Sequence, residues 1–186
     1  MGSVWFGNLL AYTNLLPTLS NLGYKLKKGT NLILESNAAF NRSIYPLHQE
    51  LEFTLPYEGT LTPCFHFIKL YEKLFAIGLP YTVIEIRFTP AGHNRTLIGP
   101  GLERHSIWVD VVCNDSAGFK TFYQAMEAEI KQSNARPHLG KFCEIFDKKD
   151  LAQRYQENFS HFYQLKKEHD PEGKFVNPFT QKLFGI

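Results

Sequence analysis

Hydrophobic and polar positions alternate between residues 47 and 56, where "LHQELEFTLP" sets Leu51, Phe53 and Leu55 on one side and Glu50, Glu52 and Thr54 on the other. A period of two marks a half-buried strand, and Pro56, which has no N–H to continue a ladder, stops it. Thr62-Pro63 then supplies a cap and a first-turn proline, and Phe67, Leu70, Tyr71 and Leu74 keep helical spacing as far as Gly78. Alternation resumes in "YTVIEIRF", with Thr82, Ile84, Ile86 and Phe88 opposed to Tyr81, Val83, Glu85 and Arg87. It returns in "HSIWVDVVC", with Ile107, Val109 and Val111 opposed to Trp108 and Asp110. Asp115 or Ser116 caps a second helix, whose apolar stripe is Phe119, Phe122, Tyr123, Met126 and Ile130. "GKFCEIF" (140–146) reads as a fourth strand, with Phe142 and Phe146 directed to the core. A further helix is expected around Phe159 to Lys167, then a tight turn at Asp170-Pro171-Glu172-Gly173 and an extended tail. Residues 1–45, interrupted by Pro17 and Gly23, read as short helices joined by turns.

The middle of the chain therefore runs β-α-β, loop, β-α-β. That order predicts an α+β fold of ferredoxin-like (split βαβ) plan, an antiparallel sheet with helices on one face. The expected division is a helical lead-in over 1–45, a ferredoxin-like core over 46–148 and a C-terminal helix with an extended tail over 149–186. The uncovered sheet face would carry Glu50, Glu52, Glu85, Arg87, Trp108 and Asp110, and Lys141 would join it by alternation along the fourth strand. A polar, aromatic open face is a place for a ligand or another domain.

Composition narrows the function classes. A chain of 186 residues with 44% hydrophobic and 20% charged positions is long enough and apolar enough to fold around a sizeable core. A net charge of +2 without a basic run gives no nucleic-acid footprint. Three cysteines, an odd number with no CxxC, read as reduced thiols rather than a disulfide framework. No apolar run reaches the roughly 18 residues of a membrane span, and no secretory leader pattern opens the chain. The expectation is a cytoplasmic protein, free or peripheral to a membrane. HExxH, phosphate-loop and GxSxG patterns are missing and the histidines lack ligand spacing, so no metal site is expected.

Two places hold chemistry. Glu85 and Arg87 lie two apart on a strand and so project from one face, a carboxylate that accepts from hydroxyls beside a permanent fork of donors. In "NARPHLGKFCEIF", His138 and Gly140 form a turn that presents Lys141, a cation suited to an oxygen that is losing its proton. Taken singly, each also reads as a solvated surface pair or a plain turn.

In series, "ELEFTLP", "IEIRF", "ARPHLGKF" and "DPEGKFVNPF" resemble the C-terminal half of the sugar-lactone and alditol oxidases, which include the D-arabinono-1,4-lactone and L-gulonolactone oxidases. These belong to the vanillyl-alcohol-oxidase class of FAD enzymes, and the resemblance covers roughly Leu47 to Phe179. It implies a cap domain whose open sheet lies over the flavin, with substrate between them giving hydride from its carbinol carbon. On that resemblance Arg87 and Lys141 are catalytic, binding the reacting hydroxyl and stabilising developing alkoxide. Glu85, His138 and Asp110 contact substrate or shape its site, and Lys141 and Asn177 reach the cofactor. The FAD-binding domain is expected outside these residues, in the same longer protein or in a separate chain. The family motif usually reads H-W-G-K, and Leu139 stands here in place of its tryptophan. The alternative is a non-catalytic, protein-binding module that uses the same open face.

Overall fold

The computed structural model describes residues 48–76, 82–91, 96–114 and 119–185, together with Thr18, Leu22, Lys25 and Leu26, which are helical. The remainder of the N-terminal helices, the Gly78 stop and the Asp115 or Ser116 cap lie outside the described residues. The chain divides into two compact units, Met1–His48 and Gln49–Ile186, and the second holds the sheet, but for His48, and the helices packed on it.

The elements are β1 (His48–Pro56), α1 (Thr62–Ala76), β2 (Thr82–Thr89), β3 (Ser106–Asn114), α2 (Phe119–Gln132), β4 (Arg136–Pro137), α3 (Lys148–Tyr155), α4 (Glu157–His169) and α5 (Pro178–Phe184). The four strands make one sheet in the order β2-β3-β1-β4. β2 pairs antiparallel with β3 from Thr82 opposite Cys113 to Thr89 opposite Ser106, and β4 pairs antiparallel with β1 through Phe53–Pro137 and Thr54–Arg136. The fold is α+β, as the order of periodic segments predicts.

The apolar rows of the inner strands meet the two long helices. Leu51, Phe53 and Leu55 of β1 and Ile107, Val109, Val111 and Cys113 of β3 are buried with Cys64 and Phe67 of α1 and Phe122, Tyr123, Met126 and Ile130 of α2. Phe53 and Phe67 approach to 4.7 Å between ring centres, and Tyr71 meets Phe122 edge-on at 6.1 Å. Ile84 and Ile86 are only partly buried, because β2 is the outer strand and has a neighbour on one side alone.

Four expectations need correcting. The fourth strand is not 140–146 but Arg136–Pro137, and the chain from His138 to Asp147 is turn and irregular structure. His138 N still donates to Glu52 O (2.8 Å) and Phe142 N to Glu50 O (2.8 Å), but between these bonds the chain bulges. The turn closed by Lys141 N to His138 O (3.0 Å) breaks the ladder there. Lys141 therefore reaches the sheet face by a turn and not by alternation. Second, α3 has no counterpart among the expected elements. Asp147 caps it in a reciprocal box with Asp150 (3.0 Å each way), and only Leu151, Tyr155 and Asp150 are buried. Third, the tail after the Asp170–Gly173 turn is helical. Asn177 caps α5, with Oδ1 accepting from Thr180 N and Thr180 Oγ1 accepting from Asn177 N (2.9 Å each). Pro178 occupies the first helical position, where its missing N–H costs nothing.

β1 also differs from a half-buried strand. Glu52 (3% exposed) and Thr54 (0%) on its polar side are buried too. β1 is an inner strand, and the segment before β3 covers it, with Thr54 Oγ1 donating to Pro100 O at 2.7 Å.

Candidate functional site

Along the polar side of β1, every second side chain meets a cation from a distant part of the chain. Glu50 pairs with Lys141, Glu52 with Arg87, and Thr54 accepts at Oγ1 from Arg104 Nη2 (2.9 Å). The pairing explains how two carboxylates stand on an inner strand, since a buried charge is tolerated only when it is paired and hydrogen-bonded.

β2 and β3 bring the rest. Their register sets Glu85 directly opposite Asp110 and Arg87 opposite Trp108. Like charges placed across a ladder repel. Here cations relieve them: Arg87 Nε lies 3.4 Å from Glu85 Oε1, and Lys141 Nζ lies 3.9 Å from Asp110 Oδ2. Trp108 is half-buried and fixed by its Nε1 donating to Thr89 Oγ1 (2.9 Å).

The His138–Lys141 turn is fixed at atomic detail. Gly140 N donates to His138 Nδ1 (3.1 Å), so Nδ1 is the acceptor and the neutral ring carries its proton on Nε2. Nε2 lies 4.0 Å from Glu52 Oε2, and the ring meets Trp108 edge-on at 6.5 Å. A Cβ on Gly140 would sit 3.0 Å from His138 Cε1, so glycine gives the imidazole its room. Burial pulls the Lys141 ammonium below the ordinary lysine range.

The expected site residues Glu85, Arg87, Asp110, His138 and Lys141 thus join two linked sets on one sheet face. One runs Glu85–Arg87–Glu52–His138, the other Glu50–Lys141–Asp110. Asn177 stands apart in role, its side-chain oxygen engaged at the N-cap of α5. Sequence reasoning set Glu50 and Glu52 on this face but gave them no part in the site. The signal available was an acidic row on a strand with neighbours on both sides. Arg104, which completes the column at Thr54, comes from a loop and had no pattern to reveal it.

Chemically, the face combines carboxylates that accept from hydroxyls with two cations, Arg87 and Lys141, able to stabilise an oxygen that becomes negative. Among the described residues no cluster of histidine, cysteine or acid side chains has the geometry of a metal site, and no helix is long and apolar enough to cross a membrane. The three cysteines are buried free thiols, and burial pushes Cys143 up to about 12.

No curated protein matches the chain. A family model described as D-arabinono-1,4-lactone oxidase matches residues 3–183, nearly the whole length. With that match, the chain belongs to the D-arabinono-1,4-lactone oxidase family.

Proposed function

We propose that the chain is the substrate-side cap of an FAD-linked oxidoreductase that oxidises a CH–OH group of a sugar lactone or polyol by hydride transfer to flavin. The observation that carries the reading is the meeting of Arg87 and Lys141 on one sheet face with Glu85, Asp110 and His138. Membership of the lactone oxidase family supports the reaction class. The strand order β2-β3-β1-β4, with α1 and α2 following β1 and β3, supports a ferredoxin-like cap.

In this reading Glu85 accepts hydrogen bonds from substrate hydroxyls, and Asp110 does the same from β3. Arg87 and Lys141 hold the reacting hydroxyl and stabilise the negative charge that develops on its oxygen. His138 orders the turn that delivers Lys141. The donor set fits the substrate side of a flavin site: it binds hydroxyls and developing negative charge and has no further redox group of its own. When bound, FAD supplies the electron acceptor. Lys141 and Asn177 are the residues proposed to reach it; Asn177 is exposed, with its amide nitrogen as the group to offer once Oδ1 is engaged in the cap. The main FAD-binding part is assigned to another domain, in the same longer protein or a separate chain, and the location to the cytoplasm.

The test is reconstitution with a flavin-binding domain of the family. A yellow complex should form, and its flavin absorbance should bleach when a sugar lactone or polyol is added without oxygen. Failure to form a complex would overturn the reading. A complex whose flavin is never reduced would point to the protein-binding alternative on the same face.

A further inference from the structure

A second charged region lies where α2 ends, β4 pairs with β1 and α3 packs. We propose that the cavity there binds a small, hydrophilic oxyanion of the phosphate class. It has a volume of about 610 Å³, within the usual range for small-molecule sites, and every residue that lines it is of a polar or charged type. Four cations line it, Arg104, Lys131, Arg136 and Arg154, against one carboxylate, Asp150.

That carboxylate is already shared. Asp150 Oδ2 accepts from Lys131 Nζ (2.8 Å), and Oδ1 lies 3.8 Å from Arg154 Nη1. The other two guanidiniums are held by neutral oxygens. Arg104 donates from Nη1 to Asn134 O (2.9 Å) and from Nη2 to Thr54 O (3.0 Å). Arg136 donates to Leu102 O (2.7 Å) and Arg154 O (3.3 Å). Carbonyls orient a guanidinium but do not cancel its charge. Both side chains keep a buried Nε without an acceptor, and so does the Tyr155 hydroxyl, whose ring lies 4.8 Å beneath Arg136.

Burial foremost, and then the neighbouring Arg136 and Arg154, pull Arg104 down to about 10, against a smaller opposing pull from Tyr155. Glu103 acts on Arg136 through space, yet it is exposed and its charge is screened. A dianion would offset the excess without disturbing the carbonyl contacts. No aromatic or aliphatic residue lines it to stack on a nucleoside base, whereas the Asn134, Gln153 and Gln156 amides suit phosphate oxygens or the hydroxyls of a phosphorylated polyol.

The test uses the full chain and goes beyond the flavin reading, so either can fail alone. Inorganic phosphate and glucose 6-phosphate, at about 10 mM, should raise Tm by at least about 2 °C over sodium chloride of equal ionic strength. A larger rise with the ester identifies a phosphorylated polyol as ligand; equal rises identify free phosphate. Arg136→Gln should abolish the rise. Because that change also removes two structural bonds, Gln153→Glu is the companion: Gln153 is exposed at the rim, and a new negative charge there should weaken phosphate binding about fivefold in a chain with unchanged circular dichroism. A rise no larger than that from chloride, or an equal rise in wild type and Gln153→Glu, overturns the proposal.

Discussion

Glu52 is the least exposed charged side chain of the open face, with 4% of its side chain accessible. One oxygen pairs with Arg87, and the other faces the proton-bearing nitrogen of His138. It therefore positions one of the two proposed catalytic cations directly and the turn carrying the other through His138. In the reconstituted enzyme, Lys141→Met or Arg87→Ala should slow flavin reduction by about a hundredfold or more, since donors aimed at developing charge act mainly in the transition state. Stopped-flow absorbance measures this, and a loss below about threefold would show that neither residue is at the chemistry. Glu52→Gln keeps the shape and loses the counter-charge, so its effect should be smaller and should appear in kcat more than in KM. Burial makes Lys141 lose its proton at a lower pH than the ordinary 10.5. With the ammonium as the proposed working form, activity should fall as pH rises through that lowered value. The alkaline limb of the kcat/KM profile should begin below the range of an exposed lysine and be missing from Lys141→Met.

At the scale of elements, the joint between α2 and the irregular 138–147 segment depends on a buried carboxylate. Glu127, fully buried on α2, accepts at Oε1 from Glu144 N (2.8 Å) and more weakly from Ile145 N (3.4 Å), while Oε2 is without a partner. Desolvation outweighs these bonds and raises its pKa. An acid with a raised folded pKa contributes its stability in full below the unfolded value, near 4.3, and loses it as pH climbs through the folded one. Lowering pH from 7 to 5 should therefore stabilise the wild type relative to Glu127→Gln, as read by urea denaturation; parallel pH dependences would contradict this. The same segment shows where the sequence was mute. β1, β2 and β3 were legible because period-two alternation reports directly on a sheet with one buried side. β4 was not, because two paired residues, one a proline, carry no period. α3 was hidden by "KKDLAQRY", which buries two apolar side chains, Leu151 and Tyr155, and starts on a capping box. α5 did have a signal, Asn177 before Pro178 with Thr180 three on, and the expectation of an extended tail passed over it. Asn177→Ala should cost about 1 kcal/mol by loss of the cap, whereas Asn177→Asp should keep it. If Asn177 also reaches the cofactor, the aspartate variant should still weaken FAD retention in the reconstituted enzyme despite an unchanged Tm.

Across the whole unit, β1 acts as an axis of charge. Glu50, Glu52 and Thr54 each take a cation, Lys141, Arg87 and Arg104, from three separate stretches of chain. The position of Arg87 could be read from local alternation, whereas Lys141 was expected on this face through a strand over 140–146 that the fold replaces with a turn. The pairing of the two with Glu52 and Glu50 could not be read, because it exists only once the strands are ordered. The arrangement raises the question of whether these pairs hold the fold or serve the face. Removing one member of a buried pair strands the other, whereas replacing both with apolar groups of similar volume is often neutral. Arg87→Met alone leaves the Glu52 carboxylate on an inner strand without its main partner. It should cost about 1–2 kcal/mol, below the range for fully buried pairs because Arg87 is 50% exposed. Glu52→Met combined with Arg87→Met should recover most of that loss, giving a positive coupling in a double-mutant cycle of denaturation free energies. The doubly substituted chain should at the same time show no flavin reduction in the reconstituted enzyme. Stability recovered while catalysis stays lost is the signature of charges kept for chemistry. If the double variant stays as unstable as Arg87→Met alone, the charged pair itself supports the fold and the case for an active face weakens accordingly; a loss equal to the sum of the single ones would show that the two charges are not coupled.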